Sequence, residues 1–546
     1  MGKSSTITGV QDINNAFTLK LMPPLPVIFF VVLFFAVIAG RLGTDASPDF
    51  RIYHFYNGFA AFHDRGSLDI VPAQLQTMLF NGVDAFNYAL FRSLNHHPIL
   101  INCVLSLPYS LAAICAFILV RVFLPFQGIL SVVLCTVVAI FGITGAGELT
   151  TLATAMTDVT ADVPFLAGLA YWFSRERVGK NTLTTSLIVG ALGGASVGLK
   201  LTTVPYFIGL FLVIGIRQLL GIKSAWREAA VFGFIGISVF LLIDHQWLIH
   251  NFLTYGNPIM PNLNNIFKSD FVAHGSWADT RFLPKSFMMA VFYPAYWAFW
   301  KSQDTIELPM RDARILIGCL STLFILVMTT YREITRQTRE PDFKTTNRLA
   351  LYFSIIFLVA YALWEMEWSI YRYLAIDECL SGVALLVALR IGLPSVSLAS
   401  LTGLFAIVAV PTAATTHYPW WSRAQPGPDA ITVSLPALEP DAMVIFLDPY
   451  AYSYLVPFMP RSVHVVGANN NIIHPGAWGK LQAEAEAAIN SHSGPFWGME
   501  FPRAFPGTAD DTLGYYHLHR KLGTCVIVDS NIEDGPNIRM CRLTHN

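Results

Sequence analysis

Two carboxylates four positions apart, Asp45 and Asp49, stand in the stretch GRLGTDASPDFRIYHFYNG from Gly40 to Gly58. An acid placed beside a bound hydroxyl can take its proton and so turn it into a nucleophile. Tyr53 and His54 follow within two helical turns. Ser47-Pro48-Asp49 reads as a helix start, with Ser as N-cap, Pro at the first helical position and an acid in the first turn. That start also offers Asp49 a plainer role, complementing the positive end of a helix. The helix it opens carries Phe50, Tyr53, Phe55, Tyr56, Phe59 and Phe62. It is too short to span a bilayer and suits lying on one.

More polar residues recur along the chain where apolar runs end. Asp69, Gln74, Asn81, Asp84, His96 and His97 lie in the same segment, and Glu148, Asp158 and Asp162 come later. Lys200 closes another run, Arg281 and Lys285 sit in a long polar segment, and Glu365, Glu367, Arg372, Asp377 and Glu378 bracket a turn. Each has an ordinary reading as well. Lys200 can snorkel at a membrane edge. Asp158 and Asp162, at i and i+4, share a helix face and can cap it against solvent. Arg372, between two tyrosines, can be interfacial.

The elements that position these residues follow from composition. The chain has 546 residues, 54% hydrophobic and 13% charged, with mean hydropathy +0.51. A soluble protein is nearer one quarter charged, so the expectation is a polytopic α-helical membrane protein. The net charge of −1 gives no field that would draw nucleic acid. Of the seven cysteines, five lie in or beside apolar runs, and there is no C-x-x-C pair, P-loop or Rossmann glycine pattern.

Candidate spans lie at about 21–40, 99–120, 126–145, 155–174, 183–199, 202–220, 228–248, 313–331, 349–366, 378–394 and 397–415, about eleven in all. The loops carrying Lys3 and Lys20, Arg121, Arg175 to Lys180, Arg217 to Arg227, Arg332 to Arg348 and Arg390 alternate with the rest. By the positive-inside rule they are cytoplasmic. The amino terminus is then inside and the carboxyl terminus outside, with outer loops at 41–98 and 249–312. The aromatic run through Phe292, Pro294 and Trp297 to Trp300 reads as an interfacial helix.

Residues 1–416 thus form the membrane domain and 417–546 an extracytoplasmic α/β domain. In the latter, 442–447, 463–466 and 525–528 read as strands, and 481–489 and 511–522 as helices. Cys525 and Cys541 are either disulfide partners outside the membrane or two free thiols.

Carboxylates and bases gathered on one face suit transfer from a lipid-linked sugar phosphate: the acid takes a proton and Arg or Lys stabilises the departing phosphate. The architecture, with an acidic first outer loop, a juxtamembrane aromatic helix, a later long outer loop and an α/β tail, resembles the GT-C superfamily. These are integral-membrane glycosyltransferases that use polyprenyl-phosphate-linked sugars. DFRIYHFYNG, GLKLT, YGNPIMPNLNNIF, DTRFLP and YRYLAIDE are similar to a bacterial branch of it. The likeness covers most of the chain in architecture, with loose motifs.

The resemblance implies that a first-loop acid is the catalytic base, and Asp49 fits best because Tyr53 follows at the helical offset. The family often has two adjacent acids; here they are Asp45 and Asp49, and both stand as candidates. The second-loop acid maps to Asp158, assisting or holding a divalent ion such as magnesium or manganese. The phosphate-binding base maps to Arg281 or Arg372. His54, Lys200, Tyr53 and Asp162 complete the expected substrate contacts.

The expectation is therefore an inverting glycosyltransferase of the bacterial inner membrane, acting on its outer face. Its donor would be a polyprenyl-phosphate sugar, its acceptor an envelope glycan, lipid or protein, and its surroundings membrane lipids. A transporter or flippase for lipid-linked sugars is the alternative, as is a polymerase or ligase. A transporter would favour paired halves with midplane charges.

Overall fold

The computed structural model describes residues 21–79, 82–124, 126–335, 341–533, 535 and 537–545. Lys3, Lys20, Asn81, Arg336 and Arg339 lie outside these residues. The chain is mostly helical up to Thr415 and forms a mixed sheet beyond it.

The helices are α1 (Leu25–Ala39), α2 (Phe55–Phe62), α3 (Gly82–Ser93), α4 (Pro98–Leu105), α5 (Leu107–Phe123), α6 (Ile129–Ile143), α7 (Ala146–Thr151), α8 (Asp158–Arg177), α9 (Leu183–Leu199), α10 (Val204–Ile216) and α11 (Ala225–Tyr255). Then come α12 (Phe287–Phe299), α13 (Arg314–Thr335), α14 (Pro341–Glu367), α15 (Ala375–Gly392) and α16 (Leu398–Thr415). Among the described residues five helical stretches are long and apolar enough to cross a membrane: Pro98–Phe123, Ala225–Tyr255, Arg314–Thr335, Pro341–Glu367 and Leu398–Thr415. Four further apolar helical stretches are shorter, Leu25–Ala39, Ile129–Ile143, Leu183–Leu199 and Leu201–Ile216. α8 and α15 stand at the two remaining expected spans and carry charge, Asp158, Asp162, Arg175, Glu176 and Arg177 on one and Asp377, Glu378 and Arg390 on the other. The chain has the character of a multi-pass membrane protein.

Lipid gives helices no hydrophobic reason to associate, so small residues and close packing decide who pairs. α9 and α11 show this. A Cβ on Gly194 would come within 2.1 Å of the Gly236 carbonyl oxygen, and one on Gly190 within 2.6 Å of that of Phe232. Gly58 does the same between α2 and α3, where a Cβ would meet the Asp84 carbonyl oxygen at 2.2 Å. Only glycine lets α2 lie this close to α3, and that contact sets His54 against Asp84.

The helix start at Ser47 forms, with Ser47 Oγ accepting from the Phe50 amide at 3.3 Å. Its continuation is a π-turn, Phe50–His54, before α2 resumes the α-helical repeat. Such a widened turn rotates the side chains that follow it and recurs at functional sites.

The sheet contains β2 (Asp69–Ile70), β4 (Val433–Ser434), β5 (Met443–Phe446), β6 (His464–Gly467), β7 (Phe496–Glu500), β8 (Leu518–Arg520), β9 (Val526–Ser530) and β10 (Ile538–His545), and β1 (Thr44–Asp45) pairs with β3 (Arg423–Ala424) apart from it. The order is β2-β6-β5-β7-β10-β9-β4, parallel from β2 to β7 and antiparallel beyond, with β8 on β10. The sheet is not confined to the tail, since its edge strand β2 comes from the segment between α2 and α3. Two helices, α17 (Lys480–Ser491) and α18 (Thr508–Tyr515), accompany it. α18 ends earlier than the sequence pattern indicates, because Leu518–Arg520 pairs with β10 instead. Met540 faces Val526 across the β9–β10 pair, which brings Cys541 against Cys525, and the two are joined as a disulfide.

Candidate active site

Five chain segments converge at one place. The π-turn supplies Asp49, Tyr53 and His54, and the start of α8 supplies Asp158. The end of α9 supplies Lys200, the 3-10 turn Tyr371–Leu374 supplies Arg372, and the entry to the tail supplies Trp421.

Arg372 is the hub. Its Nη1 stands 3.1 Å from Asp49 Oδ2 and 3.7 Å from Asp158 Oδ2. Its guanidinium lies over the Trp421 ring, 5.1 Å from the centroid. Lys200 Nζ donates to Asp158 Oδ1 at 2.5 Å and lies 5.2 Å from the Tyr373 ring centroid. Stacked aromatic faces hold both cations in place while leaving part of their charge for a ligand. Asp158 is almost fully buried, whereas the Asp49 side chain is 24% exposed. Of the two acids, only Asp49 is open to an incoming group.

Asp45 is placed differently. It is fully buried, and its two oxygens accept from the backbone amides of Ser47 at 2.9 Å and Ala155 at 2.8 Å. Asn87 Nδ2 donates to the Ala155 carbonyl oxygen, and Arg423 donates to the carbonyl oxygens of Thr150, Leu152 and Ala153. These bonds fasten the loop that ends at Asp158. Asp45 therefore shapes the site from behind.

Tyr53 and His54 rings lie 4.0 Å apart. Asp162 is buried one turn further along α8, within electrostatic reach of Asp158 and Lys200. Arg281 is not brought into the cluster. It is 67% exposed and pairs with Asp279, and its Nη2 comes within 3.7 Å of Glu307. Arg281 therefore lies apart from the Arg372 cluster. The loop carrying Glu307 is docked through the Tyr371 amide, which donates to the Thr305 carbonyl oxygen at 2.7 Å.

Among the described residues no group of three or more His, Cys, Asp or Glu side chains is placed to hold a metal, and Asp49 and Asp158 are already met by cations.

Sequence reasoning named Asp84 only among the polar residues of the first loop, and did not single out Tyr373, Trp421, Arg423 or Asn87 for the site. The acids and bases themselves carry a signal in their positions at the ends of apolar runs. Trp421 and Arg423 carry none, because the strand pair β1–β3 that brings them in is only two residues long on each side.

No family model matches the chain, and neither a curated protein nor a solved structure matches it.

Proposed function

We propose that this protein is an inverting membrane glycosyltransferase of GT-C type that uses a polyprenyl-phosphate-linked sugar. Asp49 is the base in this reading, in preference to Asp45. The single observation that carries it is the Arg372 guanidinium, which reaches the accessible acid Asp49 on one side and the buried Asp158–Lys200 pair on the other.

The acceptor hydroxyl gives its proton to Asp49 as its oxygen attacks the anomeric carbon of the sugar. The bond from that carbon to the phosphate oxygen breaks, and its electron pair leaves with the prenyl phosphate. Arg372 and Lys200 meet the charge that builds on the phosphate. Asp158 keeps Lys200 in place.

The orientation is part of the same proposal: eleven spans, amino terminus inside, active site and tail on the outer face of a bacterial inner membrane. The acceptor is an envelope glycan, lipid or protein. A flippase for the same lipids shares the phosphate contacts but has no use for an accessible acid beside them.

The test is transfer from a panel of labelled polyprenyl-phosphate sugars by the purified protein in detergent, beside Asp49→Asn. Loss of label from the lipid with wild type, and at least about a hundredfold less with the variant, supports the reading, since general bases contribute about that much or more. Binding of donor by both proteins with consumption by neither sinks it.

A further inference from the structure

A cavity of about 620 Å³ opens where α1 ends and α4 begins. Thr44 and Pro98 line its walls, and Pro426-Gly427-Pro428 closes it from the side of the tail. That closing segment is tied down at Asn95. The Asn95 carbonyl oxygen accepts from the Ala430 amide at 2.7 Å, and its side chain exchanges two hydrogen bonds with the Ile431 backbone, at 2.9 and 3.1 Å. His96, at the exposed mouth, pairs with Asp429.

Asn102 lines the cavity and is only 3% exposed. Its Nδ2 donates to the carbonyl oxygens of Ala39 at 3.1 Å and Gly43 at 2.9 Å, which fixes the amide's orientation. Its Oδ1 is closed to bulk water and has no hydrogen-bond partner among the described residues. Buried polar atoms in native proteins are nearly always satisfied, so an orphan acceptor beside a cavity calls for a donor from an occupant. Among the described residues no Asp, Glu, Lys or Arg lines this cavity. A phosphate or an ammonium would find no fixed countercharge there, and burying either one unpaired is costly. An uncharged hydroxyl suits the site best.

The hydrocarbon of such a molecule has a place as well. On α1 the exposed Phe29, Leu33 and Val37 step toward the cavity at four-residue intervals, and Ile99 and Leu100 stand exposed at its edge on α4. The two helices touch at Cys103, whose Sγ donates to the Ala36 carbonyl oxygen at 3.8 Å. Apolar helix faces that end at a polar-lined cavity match the layering of a lipid, tail first and then headgroup. Strand β1 sets this cavity apart from the Arg372 cluster. Successive strand residues face opposite ways: Thr44 lines the cavity, and Asp45 turns to the amides of Ser47 and Ala155.

We propose that the cavity binds an uncharged membrane lipid whose headgroup ends in a hydroxyl, as in a diacylglycerol, with Asn102 Oδ1 accepting from that hydroxyl. The site is separate from the transferase reading and stands whether or not Asp49 is a base.

The test is photolabelling of the full chain in nanodiscs of phosphatidylcholine, a lipid whose headgroup has no hydrogen-bond donor. Detergents with sugar headgroups are avoided because their hydroxyls would compete. The probe is a diacylglycerol with a diazirine at the head end of one acyl chain. Its methyl ether and the matching phosphatidylglycerol probe are the controls, and labelled residues are mapped by mass spectrometry. Diacylglycerol label should concentrate on 96–103 and 426–428, and unlabelled dioleoylglycerol should displace it. The ether and the phosphatidylglycerol probe should each label these residues about tenfold less, the loss expected for an unmet or poorly met buried acceptor. Asn102→Leu, which keeps the side chain's size and removes the acceptor, should abolish the preference for the hydroxyl. Gly427→Leu fills the cavity from its closing segment, where an added Cβ meets nothing nearer than 3.8 Å. It should lower labelling by diacylglycerol and ether alike, and it decides the matter if Asn102→Leu does not fold.

Equal labelling by diacylglycerol and ether in wild type overturns the proposal, as does label spread along the helices with no concentration at the cavity. Labelling by phosphatidylglycerol as strong as by diacylglycerol also overturns it, and makes the occupant an anionic lipid. A hydroxyl preference retained in a folded Asn102→Leu, or labelling unchanged in Gly427→Leu, overturns it too. None of these outcomes bears on Asp49 or Arg372, so the transferase reading fails or stands by its own assay.

Discussion

Arg372 Nη1 and Asp49 Oδ2 stand 3.1 Å apart, and they join the turn after α14 to the segment that follows α1. The pair is partly open on the Asp49 side and closed on the Arg372 side. A guanidinium so placed can release an acid to a substrate hydroxyl while turning its own charge toward a phosphate. Arginine presents several donors in one plane, and lysine presents a single point of charge.

Arg372→Lys should therefore keep the positive charge and lose the bridge. The expected outcome is a rise of about tenfold or more in the KM for donor, from loss of charge-assisted hydrogen bonds. kcat should fall as well, because Asp158 and Asp49 would no longer share one cation. Steady-state transfer with a varied lipid donor checks both. An unchanged KM would remove Arg372 from phosphate recognition.

Asp45 and Asp49 should separate cleanly in the same assay. Asp45→Asn keeps one acceptor and places an amide opposite a backbone N–H, leaving the amide of Ser47 or Ala155 poorly met inside the fold. That should cost about 1–3 kcal/mol of stability. Thermal unfolding in detergent should show a lowered midpoint, with turnover per folded molecule reduced only modestly. Asp49→Asn should show the reverse, a near wild-type midpoint and almost no turnover. Equal loss of turnover in both, at equal stability, would return Asp45 to the base role.

Much of the helical frame was legible in the chain because apolar runs of span length leave few other choices. Ser47 as N-cap, the boundaries of α9 and α16, and strands β5 and β6 follow from local pattern. What was not legible depends on tertiary placement. The π-turn has no pattern of its own, since Phe50 to His54 reads equally well as an α-helix. β7, FWGME, is buried throughout between β5 and β10, and β10, IRMCRLTH, pairs with β7 on one side and with β9 and then β8 on the other, so neither shows a simple alternation. Arg281 and Arg372 look alike in sequence, each beside an aromatic residue and near an acid. Only the fold distinguishes them, leaving one on an exposed loop with its own Asp279 and drawing the other between Asp49 and Asp158. The edge strand β2 belongs to a sheet whose other strands begin more than three hundred residues later, beyond the reach of any local pattern.

The tail domain grips the turn that carries Asp49 from its opposite face. Arg51, two residues on, donates from Nη1 to Glu533 Oε2 at 2.7 Å and to the Tyr450 hydroxyl at 2.8 Å. Ser453 Oγ donates to the carbonyl oxygens of Arg51 and Ile52. Arg51 and Glu533 are both almost fully buried, so removing one strands the other's charge. Glu533→Ala should cost about 3–5 kcal/mol for that reason. Its effect should also be local in a telling way. Amide hydrogen exchange should quicken over 50–54 and 450–454 together, while the disulfide-linked strands β9 and β10 keep their protection near the Cys525–Cys541 bond. Turnover should fall with donor KM little changed, because Glu533 bonds to Arg51 and Tyr450 and not to Arg372 or Lys200. Glu533→Gln, which retains a neutral acceptor for Arg51, should restore part of the protection over 50–54. Faster exchange confined to the tail, with 50–54 unaffected, would show that the π-turn holds its shape without the grip of Glu533.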